Sequence, residues 1–154
     1  MKFKSSIYEV KSDWIDYNGH MNVMYYTKAY DDAIDEFLEK ELKIGPHYTK
    51  VRGHGPYAIQ SQYFYLSELL KGQNFFVEIK LIDYDKKRIH LFLEMYNFIN
   101  RKLVSTCETL LINVNLEIRK STYYDSEILK RISSKLVSKK SMSKFIGKKI
   151  EIKK

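Results

Sequence analysis

The chain has 154 residues, of which 44% are hydrophobic and 14% aromatic, and it carries a net charge of +8. That length suits one domain with its own core, and the composition excludes disorder throughout. No apolar run approaches the roughly 20 residues of a membrane-spanning helix, and MKFKSSIYEV lacks the apolar stretch of a signal peptide. With a single cysteine, Cys107, which fits a reducing compartment, we expect a cytoplasmic protein without a membrane span.

The positive charge is confined to one end of the chain. Residues 128–154 carry ten Lys and Arg residues and one acid, which leaves residues 1–127 with a net charge of −1. We therefore divide the chain into a domain over 1–127 and a basic extension over 128–154 that packs on the same domain. Nucleic-acid binding would have to reside in the extension and would rest on charge alone, so we expect no nucleic-acid partner.

The first half of the chain predicts a strand, a polar loop and a long helix. KFKSSIYEVK alternates in the manner of a strand, and a polar loop covers residues 13–19. A helix follows from Asn22 to about Leu42, and the glycine and proline of IGPHY stop it. Its apolar positions recur at spacings of three and four: Tyr26, Ala29, Tyr30, Ala33, Ile34, Phe37, Leu38 and Leu42.

The second half predicts four strands and a final helix. The strands are GHGPYAIQSQYFYLSE, NFFVEIKLIDYD, RIHLFLEMYNFIN and KLVSTCETLLINVNLEI, and the short breaks DKK and NR indicate hairpins in an antiparallel meander. We expect an α+β fold in which five or six strands pack on one long helix. The spacing of Ile128, Leu129, Ile132, Leu136 and Val137 predicts a C-terminal helix, with a basic surface for lipid or nucleic acid as the alternative.

The stretch DWIDYNGHMN, which begins at Asp13, has the layout of a carbonyl-binding site. Gly19 permits a tight turn, and backbone N–H groups of Gly19, His20 and Met21 at the helix entrance could hold a developing oxyanion. Asp16 would then be a carboxylate beside a polarised carbonyl group. It could attack that carbonyl directly or activate a water molecule.

Structural roles are the alternative for each of these residues. Asp16 or Asn18 could simply cap the helix, and His20 could be a half-buried, hydrogen-bonded imidazole. A nucleophile triad is not expected, because no cysteine lies nearby and no glycine-flanked serine is present. We expect no metal site, because the chain's four histidines show no HxxxH spacing.

Three motifs in this order resemble a known family. DWIDYNGHMN, YLSELLKGQ and IDYDKKRIHLFLEM are similar to the betainyl-CoA thioesterase branch of the 4-hydroxybenzoyl-CoA thioesterase-like superfamily, over about residues 8–117. The resemblance implies a hotdog fold, in which the sheet wraps around one central helix, and hydrolysis of a small acyl-CoA, betainyl-CoA or a carnitine-related ester among the candidates. It also implies at least a homodimer, or a homotetramer, with the site between protomers and without metal or organic cofactor.

The resemblance assigns roles to individual residues. Asp16 matches the catalytic carboxylate, Asn18 and His20 match positions that orient the carbonyl or the water, and Glu68 is a second acid that could act as base. Where many relatives have a second asparagine, this chain has Val23, so side-chain contacts there are not preserved. The alternative is a hotdog protein that binds acyl-CoA without cleaving it.

The two halves of an acyl-CoA need different surroundings. Its phosphates require cations, for which Lys86, Lys87 and Arg88 are the candidates, with the basic extension as a second choice. Aromatic side chains could enclose the acyl group and attract a trimethylammonium head. Seven aromatic residues could partly enclose the substrate: Trp14, Tyr17, Tyr25, Tyr26, Tyr57, Tyr63 and Tyr65. Of these we predict Trp14, Tyr17, Tyr25 and Tyr26 for the acyl pocket, with a place in the core or an interface as the alternative for most of the seven.

Overall fold

A computed structural model describes residues 2–138 and 142–153, which form one antiparallel sheet with a long helix on one face. The helices are α1 (Val23–Phe37), α2 (Pro46–Arg52) and α3 (Ser126–Ser134). The strands are β1 (Phe3–Lys4), β2 (Tyr8–Glu9), β3 (His54–Tyr65), β4 (Asn74–Tyr84), β5 (Arg88–Asn97), β6 (Leu103–Asn115) and β7 (Lys120–Ser121). The predicted α+β class is confirmed, and the described residues form seven strands, of which three are only two residues long.

Helix α1 forms where the sequence predicts it and supplies one side of the core. Asn22 caps its first turn by accepting a hydrogen bond from the Met24 N–H. The helix continues into a wider π-helical turn, Leu38–Leu42, and ends at Lys43, whose φ of 59° turns the chain away. One apolar stripe is buried along its length: Tyr26, Ala29, Tyr30, Ala33, Ile34, Phe37, Leu38 and Leu42.

The segment after α1 differs from the prediction. IGPHY is not only a stop, because Pro46 opens the short helix α2 at its first position. Proline suits that position, since the N–H it lacks would have no partner inside the helix and its fixed φ is already helical. Gly53, with a φ of 67°, closes α2 and turns the chain into β3.

The strands are ordered β1-β4-β5-β6-β3, with β2 also on β4 and β7 on β6. Both predicted hairpins, β4–β5 and β5–β6, are confirmed. The predicted N-terminal strand is broken into β1 and β2, and β3 joins the sheet beyond β6 rather than beside β4. This long strand is therefore at an edge of the sheet, and its middle residues are exposed.

The sheet has two different faces. Leu93 and Cys107 are directly opposite each other on β5 and β6, and both belong to the core that packs on α1. Side chains next to them in sequence, such as Phe92 and Thr106, point to the other face, which we call the outer face. Phe92 is only 1% exposed there, so the outer face is partly covered.

The C-terminal residues contribute to both faces. On α3, Ile128 and Ile132 are buried in the α1 core, and the Arg131 guanidinium donates to the Leu42 carbonyl at 2.6 Å. Residues 142–153 reach the outer face, where the Phe145 ring contacts the ring of Phe64. Met1, 139–141 and Lys154, the last two within the predicted extension, lie outside the described residues.

No helix within the described ranges is long and apolar enough to cross a membrane.

Replacing Ile132 by alanine tests whether α3 is part of the folded domain. Ile132 is fully buried, so we expect the variant to lose about 2–4 kcal/mol of unfolding free energy in urea denaturation. Lys130→Ala, an exposed change on the same helix, is the control and should stay within about 0.5 kcal/mol of the parent. Equal stability of the two variants would show that α3 does not pack on the core.

Candidate active site

The loop before α1 is a tight, hydrogen-bonded turn. Ile15 and Met21 face each other in an isolated antiparallel bridge. Between them the Asp16 N–H donates to the His20 carbonyl at 3.1 Å, and the Gly19 N–H donates to the Asp16 carbonyl at 3.0 Å. Gly19 has a φ of 78°, a conformation that other residues rarely adopt. The turn therefore fixes the backbone of Asp16 relative to the start of α1.

The Asp16 carboxylate is mostly buried and held by two donors. The Asn18 N–H donates to Oδ1 at 2.8 Å, and the Asn22 side-chain amide donates to Oδ2 at 3.1 Å. The other end of the Asn22 side chain accepts the Met24 N–H at 3.0 Å. One asparagine side chain therefore joins the carboxylate to the first turn of the helix.

The His20 imidazole lies between two carboxylates. Its Nε2 is 3.9 Å from Asp16 Oδ2, and its Nδ1 is 3.5 Å from Glu68 Oε2. Glu68 is brought here by the backbone, because the Met21 N–H donates to the Leu69 carbonyl at 2.8 Å. The structure thus brings together three of the four predicted catalytic side chains, Asp16, His20 and Glu68.

Asn18 contributes differently from the prediction. Its side chain is exposed, and its contact with the Asp16 carboxylate is made by the backbone N–H. The alternative in which Asp16 or Asn18 caps the helix is wrong, since Asn22 does so.

The predicted backbone donors need correction. The N–H groups of Gly19 and Met21 already donate to backbone carbonyls, at 3.0 and 2.8 Å, so neither is free for a substrate oxygen. The first N–H groups of a helix lack partners within the helix. In α1 the Met24 N–H donates to the Asn22 side chain and the Tyr25 N–H donates to the Asn22 carbonyl. Within residues 2–138 and 142–153, the backbone N–H groups of His20 and Val23 donate to no other group, so these two donors are available to a substrate oxygen.

A cleft of about 480 Å³ opens beside these residues. Its lining residues are His20, Met21, Val23, Tyr26, Tyr65, Leu66, Ser67 and Glu68. The rings of Tyr26 and Tyr65 meet edge to face, 5.3 Å apart. Burial raises the pKa of Tyr26 to about 12, so its hydroxyl keeps its proton and donates to the Ser67 carbonyl at 3.4 Å. Two aromatic rings therefore form one wall of the cleft.

Of the predicted acyl-pocket residues, only Tyr26 lines this cleft. The Trp14 ring is buried and stacks on Tyr25 at 5.0 Å, which fixes the loop against α1. Tyr17 is 97% exposed. Trp14, Tyr17 and Tyr25 do not line this cleft, so their place in the acyl pocket stays a prediction, whereas Tyr65, another of the seven aromatic candidates, does line it.

The predicted CoA-binding cations lie far from Asp16 within one chain. Lys86, Lys87 and Arg88 follow β4, whereas the site residue Glu68 precedes it, and 11 residues of strand span roughly 33 Å. Arg88 is also paired, since its Nε donates to the Asp85 carboxylate at 2.7 Å. A single copy of the chain does not bring these side chains to the cleft.

Cysteine chemistry is excluded at this site. Cys107 is buried in the core, and its burial raises the pKa of the thiol to about 12, so the reactive thiolate is absent at neutral pH. Among the described residues, no three His, Cys, Asp or Glu side chains are grouped as metal ligands.

Sequence reasoning missed two contributors, Asn22 and Val23. Asparagine is a preferred N-cap residue, so its place directly before the first apolar-periodic residue is the signal that identifies Asn22. For Val23 the signal is position alone, because the first residue of any helix offers its backbone N–H whatever its side chain. The missing second asparagine therefore removes a side chain but not this donor.

Comparison with known proteins identifies related sequences. A family model described as the thioesterase-like superfamily matches residues 10–132. The L-carnitine dehydrogenase/betainyl-CoA thioesterase of Rhizobium meliloti is 28% identical over 125 residues, covering 80% of this chain and 25% of that protein. Betainyl-CoA thioesterase of Pseudomonas aeruginosa is 24% identical over 125 residues, covering 81% and 78%. The chain thus spans about a quarter of the first relative and most of the second.

A solved structure has the same fold over nearly the whole chain. The protein SAV2348 from Staphylococcus aureus, in complex with CoA, has a TM-score of 0.89 and 26% identity and covers 99% of this chain and 96% of its own. From the helix-and-sheet arrangement and the family match over residues 10–132, the chain has the predicted hotdog fold and belongs to the thioesterase-like superfamily.

Proposed function

We propose that this protein hydrolyses the thioester bond of an acyl-CoA. The observation that carries the proposal is the Asp16 carboxylate, held by two donors at the N-terminus of α1, beside a cleft lined by Val23. Family membership supports it, as do the names of the relatives, which include thioesterases. The related S. aureus structure in complex with CoA supports CoA as part of the ligand.

The geometry suggests how the carbonyl group is activated. A thioester oxygen that accepts the Val23 N–H lies at the positive end of the α1 dipole, which stabilises the negative charge that develops on it. In one route Asp16 attacks the carbonyl carbon, the C–S bond breaks to release CoA thiolate, and water then hydrolyses the resulting mixed anhydride and restores the carboxylate. In the other route Asp16 takes a proton from a water molecule that attacks the carbonyl carbon, and the C–S bond breaks as the tetrahedral intermediate collapses. Either route consumes one water molecule and ends with a free carboxylic acid and the CoA thiol, and neither requires a metal or an organic cofactor.

His20 and Glu68 are assigned supporting roles. At 3.5 Å from Glu68 and 3.9 Å from Asp16, the imidazole can orient both carboxylates around the reacting carbonyl. Glu68 is 60% exposed, which gives it access to solvent water, so we assign it the proton transfer that completes hydrolysis. Asn18 holds Asp16 through its backbone.

The aromatic lining of the cleft suits a small cationic acyl group. Tyr26 and Tyr65 meet edge to face in the lining, and Tyr65 is 48% exposed, so a trimethylammonium head over its ring would gain cation–π attraction. Betainyl-CoA, named for the P. aeruginosa relative, carries such a head and is therefore the first substrate to test. We place the activity in the cytoplasm, where the unpaired Cys107 stays reduced.

A second copy would complete the site. Strand β3 is 12 residues long and its outer edge is unpaired within the described chain, which invites pairing with another strand. Antiparallel pairing of two β3 strands places the Tyr65 end of one beside the His54 end of the other. Within one chain, Tyr57 of β3 is the register partner of Ile112 on β6, and Ile112 is in turn the partner of Arg88 on β5. The turn at Lys86 and Lys87 therefore lies level with the His54 end of β3. In the second copy this turn would then approach the cleft.

Replacing Asp16 by asparagine tests the reaction. We expect kcat to fall by at least about 100-fold, because the amide can neither attack nor accept a proton. Asp13→Asn, an exposed acid on the same loop, should keep the parent rate. Release of free thiol from betainyl-, aromatic and straight-chain acyl-CoAs measures both variants. If the parent protein binds CoA esters but does not hydrolyse them, the non-catalytic alternative is correct. If Asp16→Asn keeps full activity, Asp16 is not the catalytic carboxylate.

Replacing Asn22 by alanine tests its link between carboxylate and helix. Loss of the cap should lower the free energy of unfolding, measured in urea, by about 1 kcal/mol. Because the Asp16 carboxylate would no longer be held in position, kcat should fall about tenfold, with a smaller change in KM. Asn18→Ala is the matched comparison, because alanine keeps the backbone N–H that contacts Asp16. The link is refuted if the two variants lose stability and activity equally.

Replacing Ile59 by aspartate tests pairing through β3. Ile59 is 52% exposed in the middle of the strand, so a charge there should prevent two copies from pairing. Light scattering should give twice the 18.4 kDa chain mass for the parent and a single chain mass for the variant. Ile99→Asp, at an 80% exposed turn, should remain a dimer. A monomeric parent protein would contradict the proposal.

A further inference from the structure

Four lysines of the C-terminal segment surround one depression on the outer face of the sheet. The depression has a volume of about 610 Å³ and is lined by Lys144, Lys148, Lys149 and Lys153, together with the rings of Phe64 and Phe145. The two ring centroids are 5.1 Å apart. An aromatic surface is therefore surrounded by cations.

The segment that carries these lysines is fixed to the sheet. The Gly147 N–H donates to the Glu108 carboxylate at 2.7 Å, and the Gln62 side chain donates to the Lys148 carbonyl at 2.7 Å. Phe145 packs on Phe64 of β3. These contacts to β3 and β6 hold the lysines at the depression through backbone atoms and Phe145. Of the four ammonium groups, that of Lys144 lies over the Phe145 ring, 5.3 Å from its centroid.

The charge of the depression is unbalanced. Its one acidic lining residue is Glu151, against four lysines. Within residues 2–138 and 142–153, none of these four ammonium groups pairs with a carboxylate. Gathering like charges raises the local potential and attracts a polyanion, and more strongly at low salt.

The combination of cations and rings indicates the kind of ligand. Phosphate groups suit several ammonium groups, and the planar base of a nucleotide can stack on an aromatic side chain. The volume is in the range of about 300–1,000 Å³ that is usual for small-molecule sites. We propose that this depression binds a nucleotide, with the phosphates on the lysines and the base against Phe145.

The position of the depression suggests where the nucleotide comes from. Phe64 is the sequence neighbour of Tyr65, which lines the catalytic cleft from the other face at the end of β3. A ligand that leaves the cleft over this end of the strand reaches the lysines. The nucleotide is then the phosphorylated adenosine end of the acyl-CoA, an identification that rests on the proposed function. A free nucleotide that binds independently of the cleft offers the same chemistry.

Charge reversal tests the site in the full-length protein. In the double variant Lys148→Glu/Lys149→Glu we expect KM for acyl-CoA to rise about tenfold at low salt, whereas kcat should not change. The hydrolysis of acyl-pantetheine should also be unchanged, because this substrate lacks the nucleotide. Lys102→Glu/Lys130→Glu makes the same charge change at exposed lysines elsewhere and should keep the parent KM. Thermal melting verifies that both variants fold.

Nucleotide binding separates this inference from the proposed function. Titration calorimetry with adenosine 3′,5′-bisphosphate should detect binding to the parent and to the Lys102/Lys130 control, but not to the Lys148/Lys149 variant. Competition with CoA identifies the substrate's own nucleotide as the source, and binding alongside CoA identifies a free one. Binding by a parent that hydrolyses nothing supports the site and overturns only the proposed function. Hydrolysis without nucleotide binding, or a KM change confined to Lys86→Glu/Lys87→Glu, overturns the site.

Discussion

The site depends on the two hydrogen bonds made by the Asn22 side chain. Its carbonyl oxygen accepts the Met24 N–H, and its amide nitrogen donates to Asp16. The Asn22 side chain is short and makes both hydrogen bonds at once, so the Asp16 carboxylate is held at a fixed position relative to the first turn of α1. Burial of the α1 stripe against the sheet then fixes the axis of that helix. The packing of the core therefore determines the position of the Asp16 carboxylate.

The elements with a strong periodic pattern could be predicted from sequence. The extent of α1, the β4–β5 and β5–β6 hairpins, and the grouping of Asp16 and His20 before the helix follow from local spacing and turn length. The place of β3 could not be predicted in this way, because its pairing with β6 joins residues about 50 positions apart. Such a pairing is set by closure of the whole sheet rather than by neighbouring residues.

The errors at the site have a common physical cause. Composition identified Trp14 and Tyr25 as aromatic but not that their rings stack on each other and do not line the cleft. Likewise, Gly19 and Met21 are near the helix entrance, yet their N–H groups are used by the turn itself and by Leu69. A residue type shows what a side chain could bind, whereas the contacts that already occupy it depend on segments distant in sequence.

The course of residues 142–153 determines how much of the outer face is open to another protein surface. These residues lie on the outer face, where Phe145 covers Phe64 and Gly147 is bonded to Glu108. Two sheets can stack face to face only if their apolar side chains interdigitate about 10 Å apart. Stacking on this part of the outer face would first have to displace the segment and break those contacts. The chain's own C-terminal residues thus act as a built-in cover for this part of the sheet.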